Sequence, residues 1–150
     1  MAKIKVRYIR KIPKLLKIHK GDWIDLYTPF DVVLYKNKYE CIPLGIAIEL
    51  PKGYEALVVP RSSLFKNYGV IMVNSVGIID ESYKGDNDEW QFPCVTLNEV
   101  ACIPKFTRIC QFRILKHQPK LRIQVAEHLS INNRGGFGST GKGVINEETK

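Results

Sequence analysis

Leu44-Gly45-Ile46-Ala47-Ile48-Glu49-Leu50, then Pro51-Lys52-Gly53, then Tyr54-Glu55-Ala56-Leu57-Val58-Val59 is the stretch that decides the fold. Two short apolar runs flank a Pro/Gly turn, and neither is long enough or periodic enough for a buried helix. The same grammar recurs outward in both directions. Val32–Tyr35, Val70–Val73, Val76–Ile79, Gln91–Leu97, Val100–Ile103, Arg108–Leu115 and Leu121–Leu129 read as further strands, divided by turn residues. Helical spacing is scarce. The best candidate is Ser62 to Tyr68, a turn or two with serine available as N-cap. The pattern predicts an all-β sandwich or barrel in a single domain over 1–150, with a β core over 1–130 and a flexible arm over 131–150.

Composition sets limits on function. The 150 residues are 45% hydrophobic and 25% charged, which predicts one core of ordinary size. No apolar run approaches the roughly 18 residues of a membrane span, and the N-terminal hydrophobics alternate with Lys and Arg rather than forming a secretory leader. Cys41, Cys94, Cys102 and Cys110 occur singly, which suits reduced thiols in a cytoplasmic protein. His19, His117 and His128 lack ligand spacing, so no zinc site is expected. The formal charge is +8, with eight Lys or Arg in the first twenty positions. Ile4, Val6 and Tyr8 alternate there with Lys3, Lys5 and Arg7, which reads better as a basic edge strand than as a nucleic-acid interface. Such a surface also attracts a small polyanion such as a nucleoside triphosphate.

Five segments carry candidate chemistry. In Gly21-Asp22-Trp23-Ile24-Asp25-Leu26, Asp25 is bracketed by apolar residues, and a carboxylate so placed needs a partner. Pro60-Arg61-Ser62-Ser63 ends a strand and begins the short helix, offering a guanidinium fork, hydroxyls and amides to an anion; simple helix capping is the competing reading. Asn74 to Gly85, NSVGIIDESYKG, leads from an apolar run to Asp80 and then to Tyr83. Either the carboxylate orients a water and the ring meets a sugar, or Asp80 closes an Asx turn and Tyr83 packs on a neighbour. Gln111 stands out among the apolar residues of Arg108–Arg113. Last comes Arg134-Gly135-Gly136-Phe137-Gly138-Ser139-Thr140-Gly141. Gly136 to Lys142 fits seven positions of a phosphate-loop pattern, but Gly143 replaces its hydroxyl residue and no strand precedes it. Nine residues follow, KGVINEETK, too few and too polar for the helix such a loop needs, so an arm that orders over a ligand is predicted.

In that order and spacing the five segments resemble the motifs of the homotrimeric dUTPase family, in a phage- or prophage-like version, over about Gly21 to Gly141. The resemblance implies a distorted jelly-roll protomer with a mobile glycine-rich arm, and a homotrimer with shared active sites. It implies hydrolysis of dUTP to dUMP and pyrophosphate, assisted by Mg2+, with no nucleic-acid or membrane partner. On this chain Asp80 becomes the base that aims water at the α-phosphorus. Asn74 and the backbone at Ile78 and Ile79 read uracil, while Tyr83 lies under the deoxyribose. Arg61, Ser62, Ser63 and Gln111 hold phosphates or their waters, and Asp25 reaches the metal through water. Phe137 covers the base, and Arg134, Gly138 and Ser139 gather at the outer phosphates.

The chain departs from the family pattern in four places. Trp23 stands where a small glycine is usual, Ser63 replaces a glycine, Arg134 abuts Gly135, and Asp86-Asn87-Asp88-Glu89 reads as an inserted, solvated loop. Two alternatives are carried. A dCTP deaminase shares the fold and the Arg-Ser-Ser-Leu run, but Glu99 lies one place out of register for its acid, which in a strand means the other face. A dUTP-gated binding protein with a regulatory protein partner is the second.

Overall fold

The computed structural model describes residues 2–16, 21–136 and 139. Eleven strands and one short helix occur among them: β1 Lys5–Tyr8, β2 Ile24–Tyr27, β3 Val32–Tyr35, β4 Glu40–Pro43, β5 Ile46–Glu49, β6 Tyr54–Pro60, α1 Leu64–Tyr68, β7 Val70–Met72, β8 Gly77–Ile79, β9 Gln91–Thr96, β10 Val100–Ile103 and β11 Arg108–Lys116. The chain divides into two units, Met1–Gln118 and Pro119–Lys150.

In the first unit every strand pair is antiparallel: a four-stranded sheet in the order β2-β11-β6-β8, a three-stranded sheet β4-β9-β7, and the pairs β1-β5 and β10-β3. Side chains alternate across each strand, so β3 buries Val32 and Leu34 while Val33 and Tyr35 face out. The inward set closes one core around Trp90, Phe92 and Phe112, with the Trp90 and Phe112 rings meeting edge-on at 5.1 Å and 81°. The alternating lysines and arginines of β1 lie on an edge strand, as the N-terminal pattern predicted.

Three expectations are corrected. The sequence reading passed over β2 and β4, because a four-residue strand with an acid or a proline in it lacks a recognisable pattern. Ser63 occupies the N-cap position of α1 in a helical conformation and makes no side-chain cap bond, so the serine pair is not a cap. No strand forms over Leu121–Leu129. In this second unit Leu121, Ile123, Val125, Leu129 and Ile131 are 68% to 93% exposed. Among the described residues no strand offers this segment a ladder, and a strand without a neighbour leaves its backbone groups to water.

Candidate functional site

The first cluster is built on the outer face of the four-stranded sheet. Gln111 of β11 lies opposite Asp25 of β2 and Val59 of β6, so the three share one face. Arg108 is three residues before Gln111, an odd step that in a regular strand points to the opposite face. A register shift between Arg108 and Cys110 changes this: Cys110 pairs with Leu26, yet Arg108 pairs with Tyr27, leaving Ile109 as the extra residue. The bulge turns Arg108 back to the side of Asp25. It also holds Arg61, whose amide donates to the Ile109 carbonyl at 3.0 Å.

Two guanidinium groups thus converge on one carboxylate. Arg108 Nη1 donates to Asp25 Oδ2 at 3.1 Å, and Arg61 Nε lies 3.3 Å from Oδ1. The Asp25 side chain is 6% exposed, against 29% for Arg61 and 49% for Arg108. The acid is therefore a buried anchor, and the cations keep faces turned to solvent, where an anion can reach them. Sequence reasoning quoted Arg108 but gave it no role. Its one signal was a charge at the head of an apolar strand, and the bulge that makes it useful leaves no mark in the local pattern.

The second cluster is the β8 hairpin. Asn74, Gly77, Ile78, Ile79, Asp80 and Tyr83 line one cleft of about 490 Å³, with Tyr39, Cys41 and Trp90 on its other walls. Ser75 takes φ +58° to start the turn. Asp80 Oδ1 accepts the Ser82 amide at 2.8 Å and the Ser82 hydroxyl as well, so the Asx turn and a solvent-facing carboxylate coexist. The Ser82 hydroxyl first, and its amide second, hold the Asp80 carboxyl below its ordinary range, with His117 adding a smaller electrostatic pull. A carboxylate so stabilised is a poor base but a well-aimed acceptor. Tyr83 is 39% exposed, and its hydroxyl donates to the Glu89 carbonyl at 3.2 Å.

The two clusters stay apart within the chain. Arg61 and Ser62 border a separate cleft, walled by Leu64, Phe65, Val70, Ile71 and Met72. Ser63 lines neither cleft. Arg134 and Ser139 are exposed, the Ser139 amide bonding the Gly136 carbonyl at 3.1 Å, and Phe137 and Gly138 lie outside the described residues. The inserted tip is not wholly solvated: Asp86 and Asn87 are exposed, but the Glu89 side chain is 13% exposed and bonded to Arg10. Glu99, the acid nearest the deaminase position, is exposed and paired with Lys36. Burial pushes the Cys94 thiol up to about 12 and Cys110 well above its usual value, which makes both poor nucleophiles.

A family model described as dUTPase matches residues 23–141, from the Asp25 segment through the glycine-rich run. The chain belongs to the dUTPase family. It is 51% identical over 139 residues to the SPbeta prophage-derived deoxyuridine 5'-triphosphate nucleotidohydrolase YosS of Bacillus subtilis (strain 168), covering 92% of this chain and 97% of that protein. A solved dUTPase mutant of Staphylococcus bacteriophage 80alpha, carrying dUpNHpp, superposes with a TM-score of 0.79 at 22% identity, over 93% of this chain and 98% of that one. A dUTPase mutant from phage phi11 of S. aureus, described with a structural Mg(II) ion, superposes at 0.73 with 18% identity over 83% and 97%. At these identities the two solved structures establish the fold, and the distorted jelly-roll expected from the resemblance is borne out.

The dUTPase resemblance raises the question of a metal. Among the described residues no group of three or more His, Cys, Asp or Glu could cage a cation. Asp25 has both oxygens engaged by arginines. This donor set does not make an all-protein cage; it fits a magnesium ion carried by substrate phosphates and water, which Asp25 would reach only through a coordinated water. No helix among the described residues is long and apolar enough to cross a membrane.

Proposed function

We propose that this dUTPase-family chain hydrolyses dUTP to dUMP and pyrophosphate by water attack on the α-phosphorus, limiting uracil incorporation into DNA and supplying dUMP for thymidylate synthesis. The observation that carries the reading is Asp80, a solvent-facing carboxylate aimed by Ser82 beside a nucleoside-sized cleft. Asp80 orients the water and takes its proton. Because its pKa is depressed, positioning does more of the work than basicity, and a well-oriented nucleophile is worth several kcal/mol. Asn74 and the backbone at Ile78 and Ile79 read the uracil edge. Tyr83 lies under the deoxyribose and leaves no room for a 2′-hydroxyl.

Arg61, Ser62, Ser63 and Gln111 hold phosphate oxygens or the waters beside them, and Arg108 keeps Asp25 in place. Bound magnesium would neutralise charge on the phosphates, with Asp25 holding it through water. Arg134, Gly138 and Ser139 attend the β- and γ-phosphates, and Phe137 covers the base.

We infer a homotrimer in which each site draws on several subunits. Two facts support this: Asp80 and Arg61 line different clefts of one chain, and the apolar residues of 121–131 are exposed. Four free thiols accord with a cytoplasmic, reducing setting. Pyrophosphate release is to be measured with dUTP, dCTP and dTTP side by side in magnesium. Turnover of dUTP alone is expected, and a monomer inert toward dUTP would end the proposal.

A further inference from the structure

We propose that Glu89 and Arg10 form a clamp that positions Tyr83, so that the inserted loop and the N-terminal segment together set the affinity and sugar selectivity of the nucleoside cleft. This rests on the reading of Tyr83 as the floor of the deoxyribose site.

The argument begins with what holds the loop. Between Ile79, the last residue of β8, and Gln91, the first of β9, no residue belongs to a strand. The bonds inside this segment are short-range: the Tyr83 amide to the Asp80 carbonyl, the Gly85 amide to the Asp88 carboxylate, and the Asp88 amide back to Gly85. Such local turns shape a loop without placing it. Trp90 ends the segment buried in the core, its amide donating to the Ile46 carbonyl at 2.8 Å and its carbonyl accepting the Leu44 amide at 2.9 Å. Ahead of Trp90, among the described residues, two side-chain hydrogen bonds tie the segment to the rest of the fold. Glu81 accepts the Gly53 amide at 2.6 Å, at the turn between β5 and β6. Glu89 is the stronger tie, because its carboxylate takes three donors: Arg10 Nε at 2.7 Å, Arg10 Nη2 at 3.0 Å and the Gly45 amide at 2.9 Å. A bidentate guanidinium–carboxylate pair fixes direction as well as distance.

Gly45 is the meeting point. Its carbonyl accepts the amides of Ile9 and Arg10, so the N-terminal segment lies across it while its own amide faces Glu89. It takes φ +74°, and a Cβ there would stand 3.0 Å from Ile12 Cγ2 and 3.2 Å from the Arg10 Cβ. Only glycine lets the two segments come this close.

The link to the cleft is Tyr83, whose hydroxyl donates to the backbone carbonyl of Glu89 itself. One end of the ring is thus tethered to the clamped residue while its face stays open. Asp80, by contrast, is aimed by Ser82 within its own turn. The Glu89 carbonyl is thus held from one side by the anchored Trp90 amide and from the other by the clamp, and releasing the clamp loosens the sugar floor while leaving the water-aiming carboxylate in place. The two effects separate in kinetics, since a floor used equally in ground and transition states appears in KM.

The test compares Arg10→Ala, Glu89→Ala and Glu89→Gln with the wild-type full chain, using dUTP and UTP as paired substrates and hydrogen exchange over residues 80–90. Arg10→Ala and Glu89→Ala are expected to raise KM for dUTP about tenfold, the effect of one lost charge-assisted contact, and to lower the dUTP-over-UTP preference similarly. Their kcat should stay within about twofold, with Glu89→Gln falling between them and wild type and exchange quickening at Tyr83 to Glu89. The Arg10 side chain is 43% exposed, so Arg10→Ala remains informative if Glu89→Ala does not fold. Unchanged KM and unchanged sugar preference in Arg10→Ala overturn the clamp. So does a loss confined to kcat, which marks a merely structural role. An inert wild type overturns the hydrolase reading and the clamp together, whereas active wild type with indifferent variants overturns the clamp alone.

Discussion

Arg108 Nη1 rests 3.1 Å from Asp25 Oδ2 because one extra residue, Ile109, is bulged into β11. Removing the bulge would send Arg108 toward the core and leave Asp25 with Arg61 as its single counter-charge. Arg108→Met is therefore expected to cost about 1–2 kcal/mol, less than a fully buried pair because Arg108 is half exposed. Asp25→Ala should cost more, since it leaves two cations facing each other. Thermal unfolding of the two variants gives the order, and equal melting temperatures would show that the pair is incidental.

Asp80→Asn keeps the shape of the turn and removes the proton acceptor. Pyrophosphate release should fall about 10²–10⁴-fold while dUTP binding by calorimetry stays near wild type. Surviving turnover would mean that another group accepts the proton.

The Ser82 donors depress the Asp80 pKa, so Asp80 stays ionised throughout the neutral range and its acid limb lies below the ordinary aspartate value of about 4. The linked stabilisation has the same sign: present above the unfolded pKa, and lost as pH falls through the lower folded value. Ser82→Ala removes the hydroxyl, the larger of the two donors. The acidic limb of kcat/KM should then move upward in pH, toward the ordinary value. A profile that does not move would separate that limb from Asp80.

If sites are shared, two defective chains can repair each other. Asp80→Asn and Arg61→Ala homotrimers should each be weak, and subunits mixed and reassembled at equal ratio should recover about a quarter of wild-type activity by random assortment. No recovery would place Asp80 and Arg61 of one chain in one site.

The exposed apolar residues of 121–131 supply the last prediction. Ile123→Asp with Val125→Asp should shift the protein toward monomer in light scattering, because a charge cannot enter an apolar contact unpaired. Removing 134–150 should lower turnover and leave the proposed trimer assembled. Dissociation on that truncation would make the tail a structural clamp instead.

Much of the β architecture was readable. Val32–Tyr35 and Val100–Ile103 have the predicted bounds, because each alternates cleanly between core and solvent. The hairpin at 77–83 was equally legible, since turn residues and apolar residues sit next to one another in the chain. Leu121–Leu129 has the alternation of a strand but is exposed coil, as alternation reports a preference and cannot supply the neighbour that satisfies it. Glu89 was read with the solvated loop because its partner Arg10 is 79 residues away.

From the amino-acid order alone came the strand periods, the family motifs and the identities of Asp25, Arg61, Asp80, Tyr83 and Gln111, all carried by residues a few positions apart. Three-dimensional packing decided which of them meet. Arg108 reaches Asp25 across 83 residues through a bulge, and Arg10 reaches Glu89 across 79 over a glycine. The reason is physical: local conformational preference acts over a few bonds, whereas an ion pair depends on register and on the faces that burial of the core presents to each other.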